Sequence, residues 1–146
     1  MIIALDTNVL FEGLYSTRGA SHQILRLIRH GELLMAISVP LFQEYRDVLS
    51  RKENKKQLGL DDSKVEIILQ FIAAIGHPAN ISYMWRPNLK DEADNMVFEL
   101  AVASGSQYLI TSNIKEFTIG AELKNFDIKI VTPQEFMREW RKHYGE

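Results

Sequence analysis

Residues 2–8 read IIALDTN, from Ile2 to Asn8, and this stretch decides the fold. Ile2, Ile3, Ala4 and Leu5 form an unbroken apolar run, which predicts a buried strand. The run stops at a carboxylate, Asp6, followed by the small polar residues Thr7 and Asn8. What an acid does at the end of a core strand depends on whether other acids reach the same place.

Working outward, further strand-like runs lie at 33–38 (LLMAIS), 108–111 (YLIT) and 128–131 (IKIV). Helical patterns fall near 20–30, 40–51, 62–75, 92–104 and 133–143. Thr132-Pro133-Gln134-Glu135 is a capping box with proline at the first helical position. Pro40 opens its helix in the same way, and Asp61, Asp62 and Ser63 are candidate caps. Strands alternating with helices predict an α/β fold with a parallel sheet covered on both faces. Gly59 and the Gly76-His77-Pro78 segment punctuate helices. With no repeat or linker, residues 1–146 read as a single domain. Sites in such sheets form at the carboxyl ends of strands, where Asp6 sits.

Of the 146 residues, 46% are hydrophobic and 25% charged, ordinary values for a soluble globular protein. The absence of cysteine excludes disulfides and thiolate metal sites. No apolar run approaches the roughly 20 residues of a membrane span, and the start lacks the basic segment and long apolar core of a signal peptide. These features predict a cytoplasmic protein with no membrane partner. A net charge of −2 gives no global attraction to nucleic acid, so such binding needs a local basic patch.

Two helices carry acids on their apolar sides. In PLFQEYRDVLSR (40–51), Leu41, Val48 and Leu49 mark the apolar stripe. Glu44 lies on that stripe, where a carboxylate needs a partner; pairing with Arg46 or Arg51 is the plain alternative to a functional role. In DEADNMVFELAVASG (91–105), Asp94 lies three residues before Val97 and seven before Ala101, with Asp91 one turn earlier. Both read as inward on the first turn. Capping and the helix dipole explain Asp91 well and Asp94 less well. After YLIT come Ser112 and Asn113, either an ordinary strand-to-helix turn or a neutral oxygen ligand beside the acids. Asp6, Glu44 and Asp94 cannot all remain ionised at close quarters without a cation. Oxygen ligands alone favour a hard ion, Mg²⁺ or Mn²⁺, which can activate a water for in-line attack on a phosphodiester.

Four segments, IIALDTNVLF, SVPLFQEYRDVLSR, WRPNLKDEADNMVFELAVASG and YLITSNIKEF, carry a resemblance to the PIN-domain nucleases. It is particularly to the VapC-like branch, toxin components of bacterial toxin–antitoxin systems. The resemblance implies a three-layer α/β/α sandwich with a central parallel sheet. It also implies a Mg²⁺- or Mn²⁺-dependent endoribonuclease that cuts RNA by metal-activated water, a homodimer, and an antitoxin partner. It makes Asp6, Glu44 and Asp94 catalytic metal ligands. Thr7 and Ser112 become supporting hydroxyls, and Asn8 a residue that orders the first turn. Many PIN domains carry a fourth acid where this chain has Asn113; Asp91, three residues before Asp94, is a candidate for the missing charge.

For RNA, the run Arg51-Lys52-Glu53-Asn54-Lys55-Lys56 is the densest basic stretch. Arg51, Lys52, Lys55 and Lys56 are candidate phosphate contacts, against the plain reading of a solvated loop; Arg46 is a further candidate. Arg138, Arg141, Lys142 and His143 form a second basic cluster, where Trp140 and Tyr144 are expected to pack. Trp85 is expected to pack the approach to the acidic helix, and the four histidines show no ligand spacing. A catalytically inactive PIN-fold module binding RNA or protein is the main competing reading. A phosphoacceptor receiver is disfavoured, because its acid pair precedes the acceptor and a lysine ends a late strand.

Overall fold

The computed structural model describes residues 1–81, 89–117 and 127–144. In chain order they form β1 (Ile2–Leu5), α1 (Thr7–Tyr15), α2 (Ala20–Arg29), β2 (Leu34–Ile37), α3 (Val39–Ser50), α4 (Lys52–Leu58) and α5 (Asp62–Ile75). Then follow β3 (His77–Pro78), α6 (Glu92–Ser104), β4 (Tyr108–Ile110), a 3-10 turn (Ile114–Phe117), β5 (Lys129–Val131) and α7 (Pro133–Tyr144). The sheet order is β3-β2-β1-β4-β5, and every neighbouring pair is parallel. Ile3, Ala4 and Leu5 are all fully buried. Because successive strand residues point to opposite faces, helices must cover both faces of β1. The expected α/β sandwich is the observed one.

The strand order also locates the site. From β1 the chain moves outward through β2 to β3, then returns to place β4 on the other side of β1. That reversal leaves a crevice at the carboxyl ends of β1 and β4. Leu5 pairs in register with Ile110, so the next residues, Asp6 and Thr111, leave the sheet side by side. The Asp6 N–H donates to the Ile110 carbonyl at 2.9 Å, closing the pair.

The helix starts follow the caps legible in the sequence. Ser38 caps α3 and Asp61 caps α5. The Glu135 N–H donates to the Thr132 hydroxyl at 3.1 Å, completing one arm of the capping box. Three elements depart from expectation. Helix α1 has several weak helix formers (Thr7, Asn8, Val9, Gly13), yet it forms because Asp6 caps it and Val9, Leu10 and Gly13 are buried. Residues 52–58, read as a solvated loop, form α4; it buries no residue and ends at Gly59 in the left-handed conformation (φ 69°). His77-Pro78 is a short strand at the sheet edge, where the N–H that proline lacks has no neighbour to serve. Trp85 lies outside the described residues. Among those described, no helix is long and apolar enough to cross a membrane. Trp140 is partly buried and stacks between Phe136 and Tyr144, as expected, but Tyr144 is largely exposed.

Candidate active site

Asp6 is held from two sides. As the cap of α1 it accepts the Thr7 N–H at Oδ1 (2.8 Å), and it accepts the Thr111 hydroxyl at Oδ2 (2.7 Å). Burial raises its pKa above the ordinary carboxylate value. Those two hydrogen bonds oppose the rise, and the neighbouring Asp91 and Glu44 add to it. Beneath it, the fully buried Tyr45 donates its hydroxyl to the Leu5 carbonyl at 2.5 Å, anchoring the residue just before Asp6.

Asp94 lies in the first turn of α6. Only 7% of the residue is exposed, and its Oδ2 is buried with no hydrogen-bond partner. Its pKa is pushed up to about 7, first by burial and then by the charges of Asp6, Asp91 and Glu116. Asn95 fixes the start of this helix: its side chain accepts the Leu89 N–H at 2.8 Å and donates to the Leu89 carbonyl at 3.3 Å. Asp91, expected to face inward, lines the same cavity as Asp6 and Asp94 but is exposed there, as the cap of α6 accepting the Ala93 N–H at 3.0 Å. Its charge nevertheless raises the pKa of Asp6, Glu44 and Asp94. Capping and charge supply are therefore compatible roles for one side chain.

Glu44 is half-buried beside the α3 stripe of Leu41, Tyr45 and Leu49. Burial raises its pKa, Arg51 lowers it, and Asp47 and Asp91 raise it. Arg46 is not its partner. It pairs with Glu66 on α5 at 2.9 Å and lies over the Phe42 ring.

A cavity of about 790 Å³ opens among these elements, within the range of roughly 300–1,000 Å³ typical of ligand clefts. Of the residues singled out in the sequence, Asp6, Thr7, Asn8, Asp91, Asp94 and Asn113 line it. Glu44, Ser112 and the basic candidates Arg46, Arg51, Lys52, Lys55 and Lys56 do not. Ser112 binds the rim together: its N–H donates to Asn8 Oδ1 at 3.3 Å and its hydroxyl to Glu12 Oε2 at 2.9 Å. Lys55 pairs with Asp62, while Lys52 and Lys56 are exposed on α4. Sequence reasoning missed Thr111, Glu12, Glu116 and Lys90. Glu12 falls one helical turn after Asn8, a signal visible only once α1 is recognised as a helix. Glu116 stands three residues after Asn113 in the 3-10 turn, and Lys90 immediately precedes Asp91.

The residues fit a hard divalent cation. Thr7 Oγ1 and Asp94 Oδ2 are both buried without a protein partner, and both residues line the cavity; buried polar atoms of this kind call for an ion or ordered water. The acids raise one another's pKa, as expected where negative charge is uncompensated. Among the described residues no three acidic or histidine side chains close around a single ion. That is compatible with Mg²⁺, which takes one or two carboxylates and keeps several waters.

Over 96% of its length the chain is 24% identical to Uncharacterized protein MJ1680 of Methanocaldococcus jannaschii, covering 92% of that protein. Its fold is similar to a chain in the crystal structure of VapBC2 from Rickettsia felis bound to a DNA fragment from their promoter. The TM-score is 0.58 and the identity 20%, covering 90% of this chain and 98% of that one. The PIN domain family model matches residues 3–115, a span that holds Asp6, Glu44, Asp94 and Asn113: the chain belongs to the PIN domain family.

Proposed function

We propose that this PIN domain is a divalent-metal-dependent endoribonuclease that hydrolyses RNA phosphodiester bonds. One observation carries the reading: Asp6 and Asp94, from separate elements, line one cavity at the topological switch point, and Asp94 has a pKa of about 7 and an unpartnered buried oxygen. PIN domains are generally nucleases, which supports the same chemistry. Asp6 and Asp94 would hold Mg²⁺ or Mn²⁺ directly, with the Asn113 amide oxygen as a neutral ligand; Glu44, outside the cavity lining, would act on the ion through one of its waters. A cation held by these residues would supply a water of lowered pKa and offset the charge of the phosphodiester. The Thr7 N–H and Thr111 hydroxyl would keep Asp6 oriented, and both hydrogen bonds oppose the rise in its pKa. Arg51, Lys52 and Lys56 on and beside α4 guide the RNA backbone electrostatically.

The fold likeness to a VapBC2 chain supports a toxin role in a toxin–antitoxin pair with an antitoxin partner; a homodimeric state and a cytoplasmic location are part of the same proposal and rest on the sequence reading alone. A PIN-fold binding module without turnover is the second reading. It is favoured by the absence, among the described residues, of three acids closed around one ion.

The test is cleavage of short labelled single-stranded RNAs by wild type and Asp94→Asn, each with Mn²⁺, Mg²⁺ or chelator. We expect metal-dependent cutting that falls at least a hundredfold in the variant, since even outer-shell changes at metal sites cost roughly 10–100-fold. Cutting in chelator, or undiminished cutting by Asp94→Asn, would refute the metal site. RNA binding without cleavage would establish the second reading.

A further inference from the structure

The cavity lining is chemically mixed. Asp6 and Asp94 line it together with the charged Glu12, Lys90, Asp91, Glu92 and Glu116. A second part is neutral: Phe11 from α1, Val48 from α3, and Asn54 and Gln57 from α4. These three helices pack against one another, and each lends side chains to the same cavity wall. Val48 follows Glu44 by one helical turn, which puts this wall next to the acids.

Phe11 is half-buried with its ring nearly parallel to that of Tyr15, an interplanar angle of 12°. Val48 contributes a branched aliphatic surface. Asn54 is half-buried, and its Nδ2 donates to the Val48 carbonyl at 2.8 Å. That bond fixes which end of the carboxamide is which and leaves Oδ1 as the acceptor it can offer. Gln57, one turn on along the same face, is exposed and carries both donors and an acceptor. None of these four side chains carries a charge to meet a phosphate. It combines an aromatic ring and an aliphatic surface for a flat π-face with amide groups for a polar edge, the chemistry used to hold unstacked bases of single-stranded RNA.

We infer that Phe11, Val48, Asn54 and Gln57 form a nucleobase subsite beside the acidic centre, selective for a base carrying an exocyclic amino group. The ligand class rests on the ribonuclease reading. The selectivity rests on Asn54: adenine, cytosine and guanine can give Oδ1 an amino N–H, whereas the single uracil N–H lies between two carbonyl oxygens that Oδ1 repels.

The experiment measures binding of fluorescein-labelled A5, C5 and U5 ribo-oligonucleotides by anisotropy, using the full chain carrying Asp94→Asn in Mg²⁺ to suppress turnover. A5 and C5 should bind about tenfold tighter than U5. Adding Phe11→Leu, which keeps the apolar surface but removes the ring, should weaken A5 about tenfold, the low end for loss of one base–aromatic stack. Asn54→Ala should bring A5 and U5 close to parity. Gln57→Ala, at an exposed position, should weaken A5 without changing the unfolding midpoint. Equal binding of A5 and U5, no binding of any of the three, or unchanged A5 binding by both the Phe11 and Gln57 variants would overturn the subsite. Cleavage of the same oligonucleotides by wild type separates the two readings. Base-selective binding without metal-dependent cleavage keeps the subsite and refutes the nuclease; cleavage with no base selectivity does the reverse.

Discussion

Asp94 should make the metal-free protein less stable as pH rises. Its pKa is 3.8 in the unfolded chain and about 7 in the folded one, so between those values the folded state binds more protons than the unfolded. Stability attributable to this group is fully present below about pH 3.8 and is lost as pH climbs through about 7. At about 1.36 kcal/mol per pH unit, the interval sets a ceiling of about 4 kcal/mol. Water in the open cavity screens part of the repulsion, so a loss of about 2 kcal/mol is the working expectation. Asn has the same shape and no charge. Asp94→Asn should therefore unfold at higher urea than wild type at pH 8 in chelator, by about 2 kcal/mol, and differ little from it at pH 4.5. For a chain of this size that corresponds to roughly 4–8 °C in Tm. Asp6 and Glu44, also raised, should leave a smaller slope in both proteins. Adding Mn²⁺ at pH 8 should raise the stability of wild type more than that of the variant, because the cation relieves the repulsion that the substitution has already removed. Urea melts from pH 4.5 to 8, with and without Mn²⁺, provide the assay. A wild type and variant with parallel pH slopes, or a variant less stable at pH 8 in chelator, would refute the claim that Asp94 is held in uncompensated negative surroundings.

Two further perturbations test how the site is held. Thr111→Val keeps the side-chain shape but removes the hydroxyl that donates to Asp6 Oδ2; Mn²⁺ affinity, followed by calorimetric titration, should fall about 10–100-fold, and unchanged affinity would deny Thr111 its positioning role. Gly13→Ala would improve helix propensity in isolation, but here the added methyl meets Leu25 Cδ1 at 2.5 Å and the Ser21 carbonyl at 3.0 Å. Overpacking the seam between α1 and α2 should cost about 1–3 kcal/mol in urea melts, whereas a stabilised variant would show that the seam yields easily.

The strands were legible because a buried parallel strand is spelled by contiguous apolar residues, and IIAL and YLI each show that pattern without interruption. The caps were legible because Ser38, Asp61 and the Thr132–Glu135 box use local hydrogen bonds. Helix α1 was hidden, since TNVLFEGLY has poor intrinsic propensity and is stabilised by its cap and its packing partners. With α1 unread, Glu12 had no face to share with Asn8. Asp91 was placed inward because periodicity assigns a side, whereas a capping residue has non-helical backbone (φ −99°, ψ 131°) and leaves the periodic pattern. Arg46 was read as a partner of Glu44 or a phosphate contact, and Lys55 as a phosphate contact, because their partners in the fold, Glu66 and Asp62, arrive from another helix. Thr111 was read only as the last residue of a strand; its role depends on the pairing of Leu5 with Ile110, a contact separated by more than 100 residues of chain.

That pairing explains how a chain with a net charge of −2 can concentrate acids without forfeiting its fold. The sheet and its helices bury Ile3, Leu5, Leu109, Ile110 and Phe98 completely, and none of these residues needs the acids. The strand order then fixes two backbone ends side by side, so Asp6 cannot move away from α6 without breaking its cap on α1 and the Thr111 bond. Asp94 is held in its turn by the Asn95 lock on Leu89. The burial of the acids, and after it their mutual repulsion, therefore appears in raised pKa values rather than in a local collapse of the structure. A rigid scaffold that keeps carboxylates closer than they would choose in water is also one whose stability increases when a cation arrives. The same geometry that strains the metal-free protein should thus give its metal affinity, and Thr111→Val and Asp94→Asn separate the two effects: the first loosens the geometry while retaining the charge, and the second retains the geometry while removing the charge.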